Sequence, residues 1–183
     1  GPREVDHRRR QYSQIEHADE RQHQAAHGHA GAGRRHGTGV ALGHALGVRL
    51  LRADGERIGL KPNFSILDAN DVLGVLKDAG TTTDNAQARR WQWAISLWKN
   101  QGLSSDEAEA AAQGEDERSA ARVMRRYEER LAAYQAVDFD DLIGLPLKLL
   151  QRDDEARARW QAMFGHVLVD EYQDTNPVQY ELL

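Results

Sequence analysis

The sequence predicts an α/β fold in which helices far outnumber strands. Two observations carry this. Apolar residues recur at helical intervals in block after block from Leu42 onward, and one short apolar run, His166 to Val169, lies between a glycine and a group of acids, as suits a strand buried on both faces. The length of 183 residues allows about one domain, or one and a piece of another, with a core of its own.

Taken in order, "ALGHALGVRLLRADG" sets Leu42, Ala45, Leu46, Arg49 and Leu50 at helical spacing and predicts a helix stopped by Gly55. In "LKPNFSILDANDV" an extended piece over Asn63 to Leu67 precedes a helix capped by Asp68 or Asn70. "NAQARRWQWAISLWKNQG" aligns Trp91, Ile95 and Trp98 on one stripe, which reads as core. "SSDEAEAAAQ" opens on a serine cap with acids in its first turn. "ERSAARVMRRYEERLAAYQ" repeats Ala120, Val123, Met124, Tyr127, Leu131 and Tyr134 with helical period. "DFDDLIGLPLKLLQ" reads as a helix whose acids favour its N-terminus and which Gly144 and Pro146 should bend or restart. "DEARARWQAMF" is one more helix, and in "NPVQYELL" Asn176 is placed to cap with Pro177 at the first helical position.

The first 39 residues differ in kind. Their large apolar residues are Val5, Tyr12 and Ile15, set among arginines and histidines, and a segment this poor in burial surface cannot offset its ordering entropy. Residues 1–40 are therefore expected to be disordered or non-native. Among His23, His27, His29 and His36, helical spacing would bring His23 and His27 onto one face, as a transition metal ion would need, but solvated histidines in a loose tail are the better reading. The formal charge of −5 excludes a uniformly basic surface, and the absence of cysteine excludes disulfides and thiolate metal sites. No stretch has the roughly 18 apolar residues of a membrane span, and the N-terminus has no signal-peptide core. A cytoplasmic location is expected.

The run "VLVDEYQDTN" ends abruptly at Asp170 and Glu171, with Asp174 close behind. In open α/β sheets ligands sit beyond the carboxyl ends of strands, where these acids fall. A hard cation such as Mg²⁺ on nucleotide phosphates takes oxygen ligands, and a neighbouring acid can deprotonate an attacking water. On spacing alone, ordinary solvated charges that cap the next element are the better explanation of these acids.

The full string "VLVDEYQDTNPVQYELL" resembles the Walker B element of the UvrD/Rep/PcrA helicases of superfamily 1, which are ATP-driven DNA translocases. "GHALGVRLLR", "LKPNFSILDANDV", "SLWKNQ", "VDFDDLIGLPLKLLQ" and "RWQAMFGHVLVDEYQDTNPVQYELL" are similar to the Rep-type branch, in its order, from about Leu42 to Leu183. The resemblance implies a partial RecA-like (P-loop NTPase) motor domain with an inserted helical subdomain: residues 41–60 and 138–183 in the motor, 61–137 in the insertion. It implies ATP and Mg²⁺ as cofactors, with Asp170 holding the ion, Glu171 activating water, and Gln173 and Asp174 linking nucleotide state to DNA. The partners it implies are single-stranded and forked DNA, with accessory replication or repair proteins. His44 borders the family's single-strand path, or is an ordinary partly buried histidine. Lys99, Arg89 and Arg90 are candidate phosphate contacts.

Two departures limit this reading. The family's phosphate loop, G-x-x-x-x-G-K-[ST], would lie upstream, yet no Gly-Lys pair occurs, and the earlier block that should fall within residues 1–39 is missing. An out-of-frame or degraded start would explain both. The chain is then expected to be a fragment of a 3′ to 5′ helicase, inactive by itself. A non-catalytic helical interaction module and a piece of an AddA/RecB-type helicase-nuclease are the alternatives.

Overall fold

The computed structural model describes residues 44–167 and 175–183, all within one compact unit of the chain, Gly39–Leu183. The expectations placed on residues 1–43, including His23, His27, His29 and His36, lie outside the described residues.

Eight α-helices and one two-stranded sheet make up what is described. Helix α1 (His44–Asp54) runs into a 3-10 turn (Gly55–Ile58) and a short strand β1 (Ser65–Ile66). Four helices follow: α2 (Ala69–Gly80), α3 (Asn85–Asn100), α4 (Ser105–Ala111) and α5 (Glu115–Tyr134). Strand β2 (Ala136–Val137) then leads to α6 (Asp141–Arg152), α7 (Asp154–Met163) and α8 (Pro177–Leu182).

Local chemistry sets most of the boundaries. Asp68 caps α2 and Ser104 caps α4, each reciprocated by an acid three residues on, Asp71 and Glu107. Asn176 and Gln179 form the same box at α8, with Pro177 in its first turn. The glycine stop after α1 is not Gly55, which continues into the 3-10 turn. It is Gly59, whose φ of +83° is the left-handed conformation that a side chain resists. Nor do Gly144 and Pro146 divide α6, which is one helix. Pro146 is buried among Leu142, Ile143, Leu147 and Leu149, and burial on both sides of it holds the helix together despite the missing N–H.

β1 and β2 pair in parallel, Ser65 opposite Ala136 and Ile66 opposite Val137, and helices α2–α5 form the crossover. Gln135, at φ +50°, pins the arrangement: its side chain accepts from the Lys61 amide at 2.7 Å and donates to the Gly59 carbonyl at 3.2 Å. β2 is buried on both faces, and its two residues point into different cores. Ala136 joins Val72, Leu76, Trp91, Ile95, Met124 and Tyr127 from α2, α3 and α5. Val137 joins Leu51, Leu60, Phe64 and Leu142 around α1 and α6. A third, smaller group packs Ile143 and Leu147 of α6 on Val178 of α8. Asp54 closes α1 onto α7, accepting from Trp160 Nε1 at 2.7 Å and pairing with Arg159.

The strand expected over His166 to Val169 is not borne out in its described part. His166 and Val167 have no strand pairing and both are exposed, while Leu168 and Val169 lie outside the described residues. A strand buried on both faces needs a neighbour to pair with, and among the described residues the sheet is the β1–β2 pair alone.

Helices α1 and α6 touch backbone to backbone at Gly47, where an added β-carbon would stand 1.6 Å from the Leu142 carbonyl oxygen. Gly47→Ala is expected to lower unfolding free energy by about 3 kcal/mol or more, because a backbone carbonyl cannot rotate aside as a side chain can. At Gly74 in α2 a β-carbon meets nothing within 4 Å, so Gly74→Ala should be neutral or stabilise by up to about 1 kcal/mol. Urea unfolding of the two variants beside the parent chain checks both.

Candidate functional site: a buried acid–lysine junction

The stripe of α3 that carries Trp91 and Ile95 into the core continues one turn further to Lys99, which is at the same helical interval. Lys99 is therefore drawn inside. Its side chain is 9% exposed, and the ammonium lies 2.7 Å from Asp138 Oδ2 and 2.8 Å from Asp141 Oδ1. Tyr127 of α5 donates its hydroxyl to the same Asp138 oxygen at 2.8 Å. Asp138 follows β2 directly, so the end of this buried strand delivers a carboxylate into the junction of α3, α5 and α6.

Asp138 and Asp141 also bond each other's backbone. The Asp141 amide donates to Asp138 Oδ1 at 2.9 Å, and the Asp138 amide donates to Asp141 Oδ2 at 3.2 Å. This is the reciprocal geometry of a capping box, built from two aspartates at the start of α6. Asp140, between them, accepts from Asn100 Nδ2 at 2.9 Å. Asn100 in turn accepts from the side-chain amide of Asn176, the cap of α8. The last turn of α3 thus holds the starts of both α6 and α8.

Three carboxylates face one ammonium in a site shielded from water, and their proton affinities separate accordingly. Burial alone would lower the Lys99 value, but Asp138, Asp141 and Asp140 outweigh it and hold the ammonium protonated well above the usual range. Burial pushes Asp138 upward, yet Lys99 beside it brings the carboxyl below the ordinary aspartate range. Asp140 and Asp141 go the other way: burial, then the charge on Asp138, raises Asp140 to about 6 and Asp141 to about 7. Burial and the neighbouring Asp138 raise the Tyr127 phenol as well.

The residues singled out from the sequence are dispersed relative to this junction. Asp170, Glu171, Gln173 and Asp174 lie outside the described residues. Lys99 is corrected: its ammonium is committed to Asp138 and Asp141 inside the protein, because the stripe that places it is the buried one, and it is not presented to a phosphate. Arg89 and Arg90 stand exposed near the other end of α3, about 15 Å away along the helix axis, with Arg90 donating to Gln87. His44 begins α1, with its ring edge-on to Phe139 at 5.2 Å between centroids. Trp98 packs partly buried against the larger core. Asp138, Asp140, Asn100 and Asn176 were missed as a group. Among the described residues no cluster of histidines and acids has the arrangement of a metal site, and no helix is long and apolar enough to cross a membrane.

The described residues are mostly helical, with a small parallel sheet whose buried strand runs into an acidic helix start. Residues 8–183 match the family described as "UvrD/REP helicase N-terminal domain", and the chain belongs to that family. The match begins well ahead of Leu42, where the sequence alone carried no resemblance. Similar proteins include "ATP-dependent DNA helicase Rep" of Escherichia coli (strain K12), 40% identical over 156 residues that make up 82% of this chain and 23% of that protein. "ATP-dependent DNA helicase PcrA" of Leuconostoc citreum is 39% identical over 148 residues, 79% of this chain and 20% of its own length. PcrA of Staphylococcus epidermidis (strain ATCC 35984) is 37% identical over 145 residues, 76% of this chain and 20% of its own. The chain thus spans between a fifth and a quarter of the curated relatives it matches.

Two outcomes follow from the junction. Lys99→Met leaves buried carboxylates without their cation and should cost about 3–5 kcal/mol in a denaturant titration. The pH dependence has a definite sign. Between about pH 4 and pH 7 the folded chain keeps protons on Asp140 and Asp141 that an unfolded chain has released, so stability falls as pH rises through 6 and 7. Tm should drop by at least about 5 °C from pH 5 to pH 8. Asp141→Asn should remove most of that slope, whatever it does to Tm itself.

Proposed function

We propose that this chain is the N-terminal part of an ATP-dependent DNA helicase that translocates 3′ to 5′ along single-stranded DNA in replication or repair. On this reading residues 41–60 and 138–183 belong to a RecA-like ATPase domain and 61–137 form a helical subdomain inserted in it. The observation that carries the reading is the family match over residues 8–183, joined to relatives named as ATP-dependent DNA helicases. The packing supports this in outline: one core is built from α2, α3 and α5, and the other gathers α1 and α6 with Phe64 and Val137 from the two ends of the insertion.

In this assignment Asp170 holds the Mg²⁺ of Mg-ATP and Glu171 orients and deprotonates the attacking water, with Gln173 and Asp174 linking nucleotide state to DNA. The oxygen donors of these side chains suit a hard divalent cation. The ion, when bound with ATP, neutralises charge on the transferred phosphoryl group. The lysine and amides of a phosphate-cradling loop are not among these 183 residues, so this part supplies one side of a nucleotide site. Exposed Arg89 and Arg90, with His44 at the head of α1, are the candidate DNA contacts. Single-stranded and forked DNA are the substrates, with accessory replication or repair proteins as further partners in the cytoplasm.

Phosphate release in the presence of single-stranded DNA tests this directly, in this chain and in the same chain extended at both ends. The expected outcome is DNA-stimulated hydrolysis in the extended protein alone, reduced at least about 100-fold by Glu171→Gln, as loss of a general base demands. Absence of hydrolysis from both would leave a non-catalytic helical module as the better description.

A further inference from the structure

Met124 and Met163 are the two methionines of the chain, and it has no cysteine, so its oxidisable sulfur is confined to these side chains. They stand in opposite surroundings. Met124 is enclosed in the larger core at 0% exposure, whereas Met163, the last residue of α7, is 50% exposed. Arg49 of α1 meets the exposed sulfur. Its Nη2 donates to Met163 Sδ at 3.6 Å, and its guanidinium stands over the Trp160 ring, 5.7 Å from the centroid. Trp160 is fixed in turn, its indole donating to Asp54 at 2.7 Å and its ring stacking on Phe164. Among the described residues no carboxylate pairs with Arg49, so a cation with five N–H donors is left with a thioether, one of the weakest acceptors a side chain offers.

We propose that Met163 is a reversible oxidation site whose sulfoxide Arg49 binds. Hydrogen peroxide gives one oxygen atom to the sulfur: an S–O bond forms, the peroxide O–O bond breaks, the thioether is oxidised to the sulfoxide and the peroxide is reduced to water. A methionine sulfoxide reductase reverses the step, the oxygen leaving as water while two thiols close to a disulfide. The product carries what Arg49 lacks. A sulfoxide oxygen is a strong, partly negative acceptor on the very atom to which Nη2 donates, so oxidation turns a weak contact into a charge-assisted hydrogen bond between α1 and α7. The same change at Met124 would put a polar group into a sealed core at a cost in stability. Nothing in this chemistry depends on nucleotide or DNA.

The test treats the intact protein that carries this chain with dilute hydrogen peroxide, as wild type, Arg49→Leu and Met163→Leu, and follows peptide masses and amide exchange. One added oxygen should appear on Met163 at least about tenfold faster than on Met124, and methionine sulfoxide reductases should remove it. In the oxidised wild type the amides of residues 160–163 should exchange at least about threefold more slowly than in the reduced protein, because the new bond holds the last turn of α7 to α1. Arg49→Leu should take up oxygen at Met163 without that slowing. Met163→Leu should show neither the added mass nor the slowing in this turn. Oxidation of Met124 as fast as Met163, or a sulfoxide that the reductases leave in place, would overturn the site. Equal or faster exchange in the oxidised wild type, or the same slowing in either variant, would overturn the role of Arg49.

Discussion

Lys99 lies where α3, α5, β2 and α6 meet, and its ammonium is the charge that Asp138 and Asp141 share. Each partner is costly in isolation: an unpaired lysine or carboxylate at this depth forfeits several kcal/mol of hydration. Together they are satisfied, and Tyr127 completes the shell of Asp138. The elements that supply them are therefore not free to slide. α3 has to end where Lys99 meets the acids, β2 has to emit Asp138 at that point, and α6 has to begin one turn later.

The two cores share this constraint. Ala136 and Val137 send their side chains in opposite directions, as neighbours on a strand do, and the polar junction sits immediately beyond them. Apolar packing decides which helices gather on each side. The junction decides how the two gatherings are registered, because directional, charged bonds discriminate between positions a few ångströms apart where apolar contacts do not. Carrying more acid than base, the cluster also holds protons near neutrality on Asp140 and Asp141, so the register is tuned by charge as well as by shape.

How much of this was legible in the sequence follows from the range of each signal. Helix periods and caps act over three to seven residues, and Asp68, Ser104, Asn176 and Pro177 were readable for that reason. β2 was not, because two residues give no period. Helix α6 ran through Pro146 because burial outweighed a local rule, and Gly59 rather than Gly55 ended the turn after α1 because conformation, not composition, selects the stop. The junction had a trace that a pattern search could find: a lysine on the stripe of Trp91 and Ile95, and two aspartates at capping-box spacing. What no local pattern contained was that residues some forty positions apart would meet. The acids Asp170 and Glu171, the sequence's strongest sign of chemistry, fall within the family match over residues 8–183, and the roles proposed for them rest on that membership.

The most direct test of this account is an NMR titration of the aspartate carboxyl carbons in the folded chain, with Asp138, Asp140 and Asp141 assigned. A shared lysine in a buried site predicts that Asp138 stays ionised below the ordinary aspartate range while Asp140 and Asp141 titrate near 6 and 7. Three carboxyls titrating together near 4 would mean water reaches all of them, and the junction would not be the buried constraint on which the fold is argued to depend.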